Sequence, residues 1–286
     1  MPNRLRVYQA LWAMSGLTAI EASVGEKFDR VREAGFGGMA IDLGALSMSE
    51  AEATVPHFAR TGLAGGLTAF PSSIEALRPA LLLAQRIGAP FVVVIGQQMP
   101  LRVGEMVPVI EGWLRLAERE GMPIQFETHR NCITNDLFTT VQLLDCIPQM
   151  RLAADLSHYV VDREMPCPPP PPLQALITRV LERSDSFQGR VAARGQIQLA
   201  LHFKQNAKWV ALFRDWWRQG FAAWLSRHPA EDSELVFLSE LGPPDYAITD
   251  VDGLELSDRW SEALLLKQWA HEIWQAVSAR PNRPGP

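Results

Sequence analysis

The sequence predicts a single (β/α)8 barrel. Strand-like and helix-like segments alternate eight times along the 286 residues, which is the repeat from which parallel barrels are built. The clearest strand is residues 91–95, because a continuous β-branched run is typical of a strand buried on both faces. No linker divides the chain, so one domain over residues 1–279 is expected. An open, doubly wound sheet is the alternative if one element is miscounted.

The other elements follow from periodicity and from helix start and stop signals. Ser49 and Ser72 each precede a glutamate by three residues, the spacing of a capping box, and Gly35 and Gly88 stand where amphipathic segments end. The predicted strands are 7–14, 38–42, 63–70, 91–95, 124–127, 150–155, 186–191 and 235–240. The predicted helices are 20–34, 49–61, 72–87, 103–120, 136–146, 173–182, 207–227 and 257–278.

Two segments fall outside this repeat. Residues 168–172 are consecutive prolines, and proline fixes φ and lacks an N–H group. We interpret residues 166–172 as a stiff, proline-rich loop insert. The tail 280–286 is expected to be flexible.

Composition and charge limit the binding partners and the cellular compartment that can be expected. The net charge of -5 and the absence of a Lys/Arg-rich run disfavour a nucleic acid, which needs a concentrated basic face. No apolar run reaches the roughly 18 residues that span a membrane. The 3 cysteines have no CxxC spacing, which favours reduced thiols in the cytoplasm. A small-molecule partner is therefore expected.

Polar side chains stand at the predicted ends of several strands. In a closed barrel these ends converge on one mouth. Strands five to eight contribute oxygen ligands, and three converging carboxylates need a cation to offset their repulsion. Carboxylate and amide oxygens suit Mg²⁺ or Mn²⁺. The oxygen ligands are Glu127, Asp155, Gln188 and Glu240, and Trp12, Asp42 and Gln97 end other strands.

Four segments resemble a known family. They are F-E-T-H-R (126–130), A-D-L-S-H (154–158), F-Q-G-R-V (187–191) and S-E-L-G-P-P-D-Y (239–246). In this order on successive strand ends they resemble the xylose-isomerase-like TIM barrels, the sugar isomerase and epimerase superfamily. The resemblance implies one divalent ion held by Glu127, Asp155, Gln188 and Glu240. Many relatives carry histidine where this chain has Gln188, and a harder amide ligand favours Mn²⁺ or Mg²⁺ over Zn²⁺, with Co²⁺ as a further alternative.

The resemblance also implies a reaction. A divalent ion stabilises an enediolate while Glu127 and Glu240 take and return a proton, which would isomerise or epimerise a sugar or a small hydroxy-carbonyl compound. His158 and Arg190 match positions that bind substrate oxygens, and Trp12, Asp42, Gln97 and His202 are further candidates for substrate contact. One alternative is a lyase or dehydratase on a keto-sugar, keto-glycoside or inosose. Another is a catalytically silent barrel that binds a sugar or a partner. A hydrolase of the endonuclease IV type is disfavoured, because its trinuclear zinc cluster is rich in histidine.

Simpler roles compete with these assignments. Glu127 could pair with Arg130, Asp155 could cap the next segment, and Gln188 could serve only as a structural hydrogen-bonding residue. His202 could reach the mouth or merely pack. His129 is expected to point away from the mouth and to be structural.

The helix predicted at 207–227 carries six large aromatic residues. Such a stripe usually packs on the barrel, and so many aromatics suggest that part of the set forms a contact in a homo-oligomer. The six are Trp209, Phe213, Trp216, Trp217, Phe221 and Trp224.

Overall fold

Eight parallel strands close into a barrel in chain order in the computed structural model, which describes residues 3–17, 20–229 and 232–279. The last strand pairs in parallel with the first, with Arg4 beside Glu234 and Gln9 beside Ser239. This closure confirms the predicted (β/α)8 barrel and excludes the open sheet. The strands are β1 (Arg4–Ala10), β2 (Gly38–Asp42), β3 (Ala64–Ala69), β4 (Val92–Val94), β5 (Ile124–Glu127), β6 (Leu152–Ala154), β7 (Ser184–Gly189) and β8 (Glu234–Ser239).

Helices surround the barrel, and several begin at polar caps. The hydroxyl of Ser23 and the carboxylate of Glu26 form a capping box at the first helix, and Asp258 caps the last one. In the part of the chain that the structure describes, no helix is both long and apolar enough to cross a bilayer. The helices are α1 (Val24–Glu33), α2 (Met48–Ala53), α3 (Val55–Thr61), α4 (Arg78–Arg86), α5 (Val103–Glu120), α6 (Leu137–Cys146), α7 (Leu156–Asp162), α8 (Pro171–Glu182), α9 (Ala207–Arg227) and α10 (Arg259–Ser278).

Several boundaries differ from the predicted ones. The first strand ends at Ala10 and not at residue 14, because Trp12–Met14 form a short 3-10 helix. The predicted helix 49–61 is divided at Thr54, whose hydroxyl donates to the carbonyl of Ala51. Its capping box uses Ser47 and not Ser49. These changes shift element ends without changing the order of elements.

The predicted proline insert is shorter than expected. Pro171 and Pro172 lie in the first turn of α8. Backbone N–H groups in a first turn have no acceptor within the helix, so proline, which lacks this group, costs no hydrogen bond there. The loop that precedes them follows α7, a helix that the sequence did not predict. The tail predicted to be flexible lies outside the described residues.

The aromatic helix α9 packs against the barrel. Its six large aromatic side chains are at most 5% exposed in the single chain, and Trp217 and Phe221 both meet the ring of Phe237 in β8 edge to face. All six therefore belong to the core of this chain. They leave no aromatic surface on α9 from which a subunit contact could be inferred.

Gly220 lets α9 approach β7, which gives a test of this packing. An added Cβ would lie 2.3 Å from Cε1 of the Phe187 ring, closer than any real contact. We expect Gly220→Ala to lower the free energy of unfolding by about 1–3 kcal/mol, the usual effect of overpacking, measured by urea denaturation. Gly104→Ala is the matched control, since its Cβ would meet nothing within 4 Å and should stabilise α5 by about 0.4–1 kcal/mol.

Candidate metal and active site

Three carboxylates meet at the C-terminal mouth of the barrel. Glu127 is the last residue of β5, Asp155 follows β6, and Glu240 follows β8. Their residues are 2%, 0% and 8% exposed, and one oxygen from each lies within 4.8 Å of the other two. The structure therefore brings together three of the four predicted ligands from separate parts of the sequence.

Gln188 joins this cluster from β7. Its side-chain amide lies beside Glu127 and opposes the rise of that carboxyl's pKa. Among the described residues, its Oε1 has no hydrogen-bond partner, and neither do Oδ2 of Asp155 and Oε2 of Glu240, although all three atoms are buried. Buried polar atoms are nearly always paired, and carboxylate and amide oxygens are the ligands that hard divalent ions prefer. The four side chains therefore fit a divalent metal ion.

The two carboxylate oxygens of Asp155 have different partners. Oδ1 accepts hydrogen bonds from the backbone N–H and the hydroxyl of Ser157, with the N–H at 2.9 Å, and so caps α7. Oδ2 lies 3.6 Å from Nε of Arg190 and 3.5 Å from Nε2 of His158. The hydroxyl of Thr128 donates to the carbonyl oxygen of Asp155 at 2.8 Å, which links the ends of β5 and β6. The capping and the ligand interpretations are thus compatible.

Arg190 supplies a positive charge inside the cluster. Its Nη2 is 3.1 Å from Oε1 of Glu240, and its Nε is 3.6 Å from Oδ2 of Asp155. The same Nε donates to the carbonyl oxygen of Glu240 at 3.1 Å. Burial opposes the charge of this side chain, but the carboxylates of Glu240 and Asp155 outweigh that effect and raise the pKa of Arg190. The guanidinium is therefore a fixed cation.

Glu127 and Glu240 hold protons unusually tightly when no cation is bound. Burial, together with the negative charges of Glu240 and Asp155, raises the pKa of Glu127 well above its ordinary value. Burial also raises the pKa of Glu240 to about 8, although the Arg190 charge opposes the shift. A divalent cation must displace these protons, so metal affinity should rise with pH.

These shifts predict how pH affects the metal-free protein. A carboxyl group with a raised pKa binds its proton more tightly when the chain is folded, so it contributes most stability below the unfolded pKa and loses it as the pH rises through the folded pKa. As the pH rises from about 6 to about 8, the loss of the proton from Glu240 should by itself lower the melting temperature of the protein by about 5 °C. Calorimetric melting in a chelator tests this, and Glu240→Gln should flatten the slope. A melting temperature that rises over this range would contradict it.

A cavity of about 270 Å³ opens above the carboxylates. Trp12 and Tyr246 form one wall, with ring centroids 5.4 Å apart in an edge-to-face arrangement, and the Trp12 indole lies beside the carboxylate of Glu240 and opposes the rise of its pKa. The cavity is small and mixes aromatic with charged groups, which suits a small polar ligand. Its lining residues are Trp12, Asp42, Gly44, Ala45, Phe70, Ile95, Glu127, His129, Arg190, Glu240 and Tyr246.

Three predicted substrate contacts do not line this cavity. The side chain of His202 is 59% exposed and has its Nδ1 3.3 Å from Oε1 of Glu262. The amide of Gln97 donates to the carbonyl oxygen of Ile95 at 3.2 Å. His158 is completely buried. None of the three is among the described residues that line the cavity, although Nε2 of His158 lies 3.5 Å from Oδ2 of Asp155. Their contact with substrate stays a prediction.

Two residues at the mouth were not predicted there. His129 was expected to point away from Glu127, but residues two apart in an extended segment project to the same side, and His129 lines the cavity. Tyr246 lies in the loop after β8 and ends the fourth motif, but the sequence analysis assigned it no role at the mouth. Burial lowers the pKa of His129 to about 4. It also lowers the pKa of His158, so both imidazoles are neutral near pH 7.

Comparisons with solved structures identify this architecture, whereas no protein-family model and no curated protein matches the chain. An L-ribulose 3-epimerase aligns over 98% of this chain and 100% of its own, with 12% identity and a TM-score of 0.61. A xylose isomerase-like TIM barrel protein from Mycobacterium smegmatis, in complex with magnesium, aligns over 94% and 97%, with 14% identity and a TM-score of 0.57. A probable 3-DHS dehydratase, AsbF from Bacillus anthracis, aligns over 96% and 100%, with 13% identity and a TM-score of 0.55. The protein therefore has the fold of the xylose-isomerase-like TIM barrels, as its motifs predicted.

Proposed function

We propose that the protein is a divalent-metal-dependent enzyme that isomerises or epimerises a sugar or another small hydroxy-carbonyl compound by proton transfer. The observation that carries this proposal is the convergence of three buried carboxylate oxygens within 4.8 Å at the mouth of the barrel. The similar fold of an L-ribulose 3-epimerase supports the same class of reaction.

Glu127, Asp155, Gln188 and Glu240 would hold the metal ion. When bound, a divalent ion polarises a carbonyl group and so makes an enediolate easier to form. The all-oxygen ligand set favours Mn²⁺ or Mg²⁺. The unpartnered buried oxygens of Asp155, Gln188 and Glu240 support this assignment.

Glu127 and Glu240 would carry the proton transfer. They stand at the ends of β5 and β8, which are separated by two strands of the barrel, so they would reach a bound carbon atom from different sides. One carboxylate can then remove a proton beside the carbonyl group, and the other can return it. The contact between Nη2 of Arg190 and Oε1 of Glu240, at 3.1 Å, would orient Glu240 for this role.

Arg190 would stabilise the negative charge that develops on the substrate. It lines the cavity, and its contact with the Glu240 carbonyl oxygen fixes its position. A preorganised cation in a buried site stabilises developing charge more than one in water does. Asp42, which also lines the cavity, would contact substrate hydroxyl groups.

A lyase or dehydratase is the second candidate. It would use the same metal ion and the same bases, and it would expel a leaving group from the carbon next to the deprotonated one. The similarity of the fold to that of a probable 3-DHS dehydratase supports this second candidate.

An exchange experiment tests both candidates. The protein is incubated with Mn²⁺ in D₂O and a panel of ketoses, keto-glycosides and inososes, and recovered sugars are analysed by NMR and mass spectrometry. Deuterium beside the carbonyl group together with a new stereoisomer or isomer is expected. Release of water or an aglycone would indicate the lyase. No exchange with any compound, in a protein that also binds no metal, would favour the catalytically silent barrel.

A further inference from the structure

A side-chain amide from the connection between β7 and α9 holds the segment that follows β8. Gln198 lies in that connection and is 5% exposed. Its Nε2 donates to the carbonyl oxygen of Gly242 at 2.9 Å, and its Oε1 accepts a hydrogen bond from the N–H of the same glycine at 2.7 Å. A primary amide carries both a donor and an acceptor, so it satisfies both backbone groups of Gly242 at once. Two contacts of this kind fix the position of Gly242 more closely than one could.

The loop that carries Gln198 is itself closed by backbone hydrogen bonds. Ala193 and Gln196 pair through their N–H and carbonyl groups, at 2.9 and 3.0 Å. The N–H of Leu199 donates to the carbonyl oxygen of Val191 at 2.9 Å, and both of these residues are buried. Gln198 therefore projects from a short loop whose ends are bonded to each other.

Gly242 supports the aromatic wall of the cavity. An added Cβ there would lie 2.5 Å from the Trp12 ring and 2.7 Å from Cβ of Tyr246, so both residues pack directly against this backbone. The N–H of Tyr246 donates to the carbonyl oxygen of Pro243 at 2.7 Å, which closes a turn that begins next to Gly242. Because packed side chains move with the backbone that they contact, a displacement of Gly242 would move the wall.

Arg190 holds the preceding part of the same segment. Its Nε donates to the carbonyl oxygen of Glu240 at 3.1 Å, so Glu240 has an anchor of its own, two residues before Gly242. The guanidinium carbon of Arg190 also lies 5.0 Å from the centroid of the Tyr246 ring. Loss of the Gln198 amide should therefore loosen the wall while Glu240 keeps its position.

We propose that Gln198 is a positioning residue for substrate binding, which acts through Gly242 to hold the wall of Trp12 and Tyr246 against the bound substrate. Gln198 is not among the described residues that line the cavity, so its effect on a ligand is exerted through the wall. The inference rests on the proposed function and adds to it a residue outside the metal ligands and Arg190.

Gln198→Leu tests the proposal, because it keeps the approximate size of the side chain and removes both hydrogen bonds. Hydrogen exchange followed by mass spectrometry should show the Gly242 amide exchanging about tenfold faster or more. For the panel compound that exchanges deuterium, KM should rise by about 10- to 100-fold, since small misplacements of a binding group have effects of that size. The value of kcat should stay within about threefold of wild type, as expected when only ground-state binding is lost. The affinity for Mn²⁺ should be unchanged.

Gln198→Glu gives a readout that a merely structural role would not change. A carboxylate can accept from the N–H of Gly242 but cannot donate to its carbonyl oxygen, whereas a protonated carboxyl group can do both. The ratio of the KM of this variant to that of the wild type should therefore fall towards one as the pH is lowered. If Gln198→Leu does not fold, this variant, which retains one hydrogen bond, carries the test.

Asn206→Ala is the matched control. Asn206 is a buried amide in the same connection, and its Nδ2 donates to the carbonyl oxygen of Ala200 at 2.9 Å. It makes no contact with Gly242 among the hydrogen bonds of the described residues, so its loss should leave KM and the exchange of the Gly242 amide unchanged.

The outcomes separate the positioning role from the proposed function. Faster exchange at Gly242 with an unchanged KM overturns the positioning role and leaves the proposed function intact. Unchanged exchange in Gln198→Leu also overturns it, because the amide then does not hold Gly242. A wild type that turns over no compound in the panel overturns the proposed function and the positioning role together.

Discussion

Glu240→Gln should fold normally and lower the turnover of the exchanging substrate by about 10³-fold. The amide keeps the size of the side chain and one oxygen atom, but it cannot accept a proton and is a weaker metal ligand. Glu127→Gln should lose activity to a similar extent for the same reason. Steady-state kcat and KM, measured with saturating Mn²⁺, test the prediction, and bound metal is quantified in parallel.

Glu262→Gln is the matched control for these variants. Glu262 is also a buried glutamate, but it lies in α10 and accepts a hydrogen bond from the backbone N–H of Leu201 at 2.6 Å, which the amide oxygen of Gln can still accept. It should keep wild-type turnover. Near-wild-type turnover in both Glu127→Gln and Glu240→Gln would remove these residues from the proton transfer.

Arg190→Met should be among the most destabilising substitutions in the chain. Arg190 lies between Asp155 and Glu240 in a buried site, and removing one partner of a buried ion pair typically lowers the free energy of unfolding by about 3–5 kcal/mol. A divalent cation should restore part of this loss, since it supplies the missing positive charge. Urea denaturation with chelator and with Mn²⁺ measures both effects.

Arg214→Met provides the comparison for Arg190. Arg214 pairs with Glu272 at 3.0 Å, but the two side chains are 38% and 45% exposed. An exposed pair of this kind contributes about 1 kcal/mol or less. Equal destabilisation by the two substitutions, with no effect of Mn²⁺ on Arg190→Met, would mean that Arg190 has no special electrostatic role at the mouth.

The fold and the carboxylate cluster could be predicted because their signals are local. Residues 91–95 identify a buried strand by composition alone, and each predicted ligand follows or ends such a strand. Closure of the barrel then brings the C-terminal ends of β5 to β8 together at one mouth, irrespective of their separation in sequence. For this reason the sequence alone could predict that four candidate metal ligands meet at the mouth: Glu127, Asp155, Gln188 and Glu240.

The missed features depend on geometry that short patterns do not contain. The apolar run after Ala10 continues as a 3-10 helix, and hydrophobic composition does not distinguish that turn from a strand. The side chain of His202 lies beside the buried Glu262 and does not line the cavity, and the sequence does not specify this packing. Tyr246 reaches the mouth through a loop whose course the sequence does not specify, although Gly242 permits it: an added Cβ there would lie 2.5 Å from the Trp12 ring.

A crystal structure of the protein with Mn²⁺, with anomalous scattering data, tests the central claim most directly. The account predicts an anomalous peak within about 2.5 Å of oxygen atoms from Glu127, Asp155, Gln188 and Glu240. A map with no peak at this point, in crystals soaked at millimolar Mn²⁺, would contradict it.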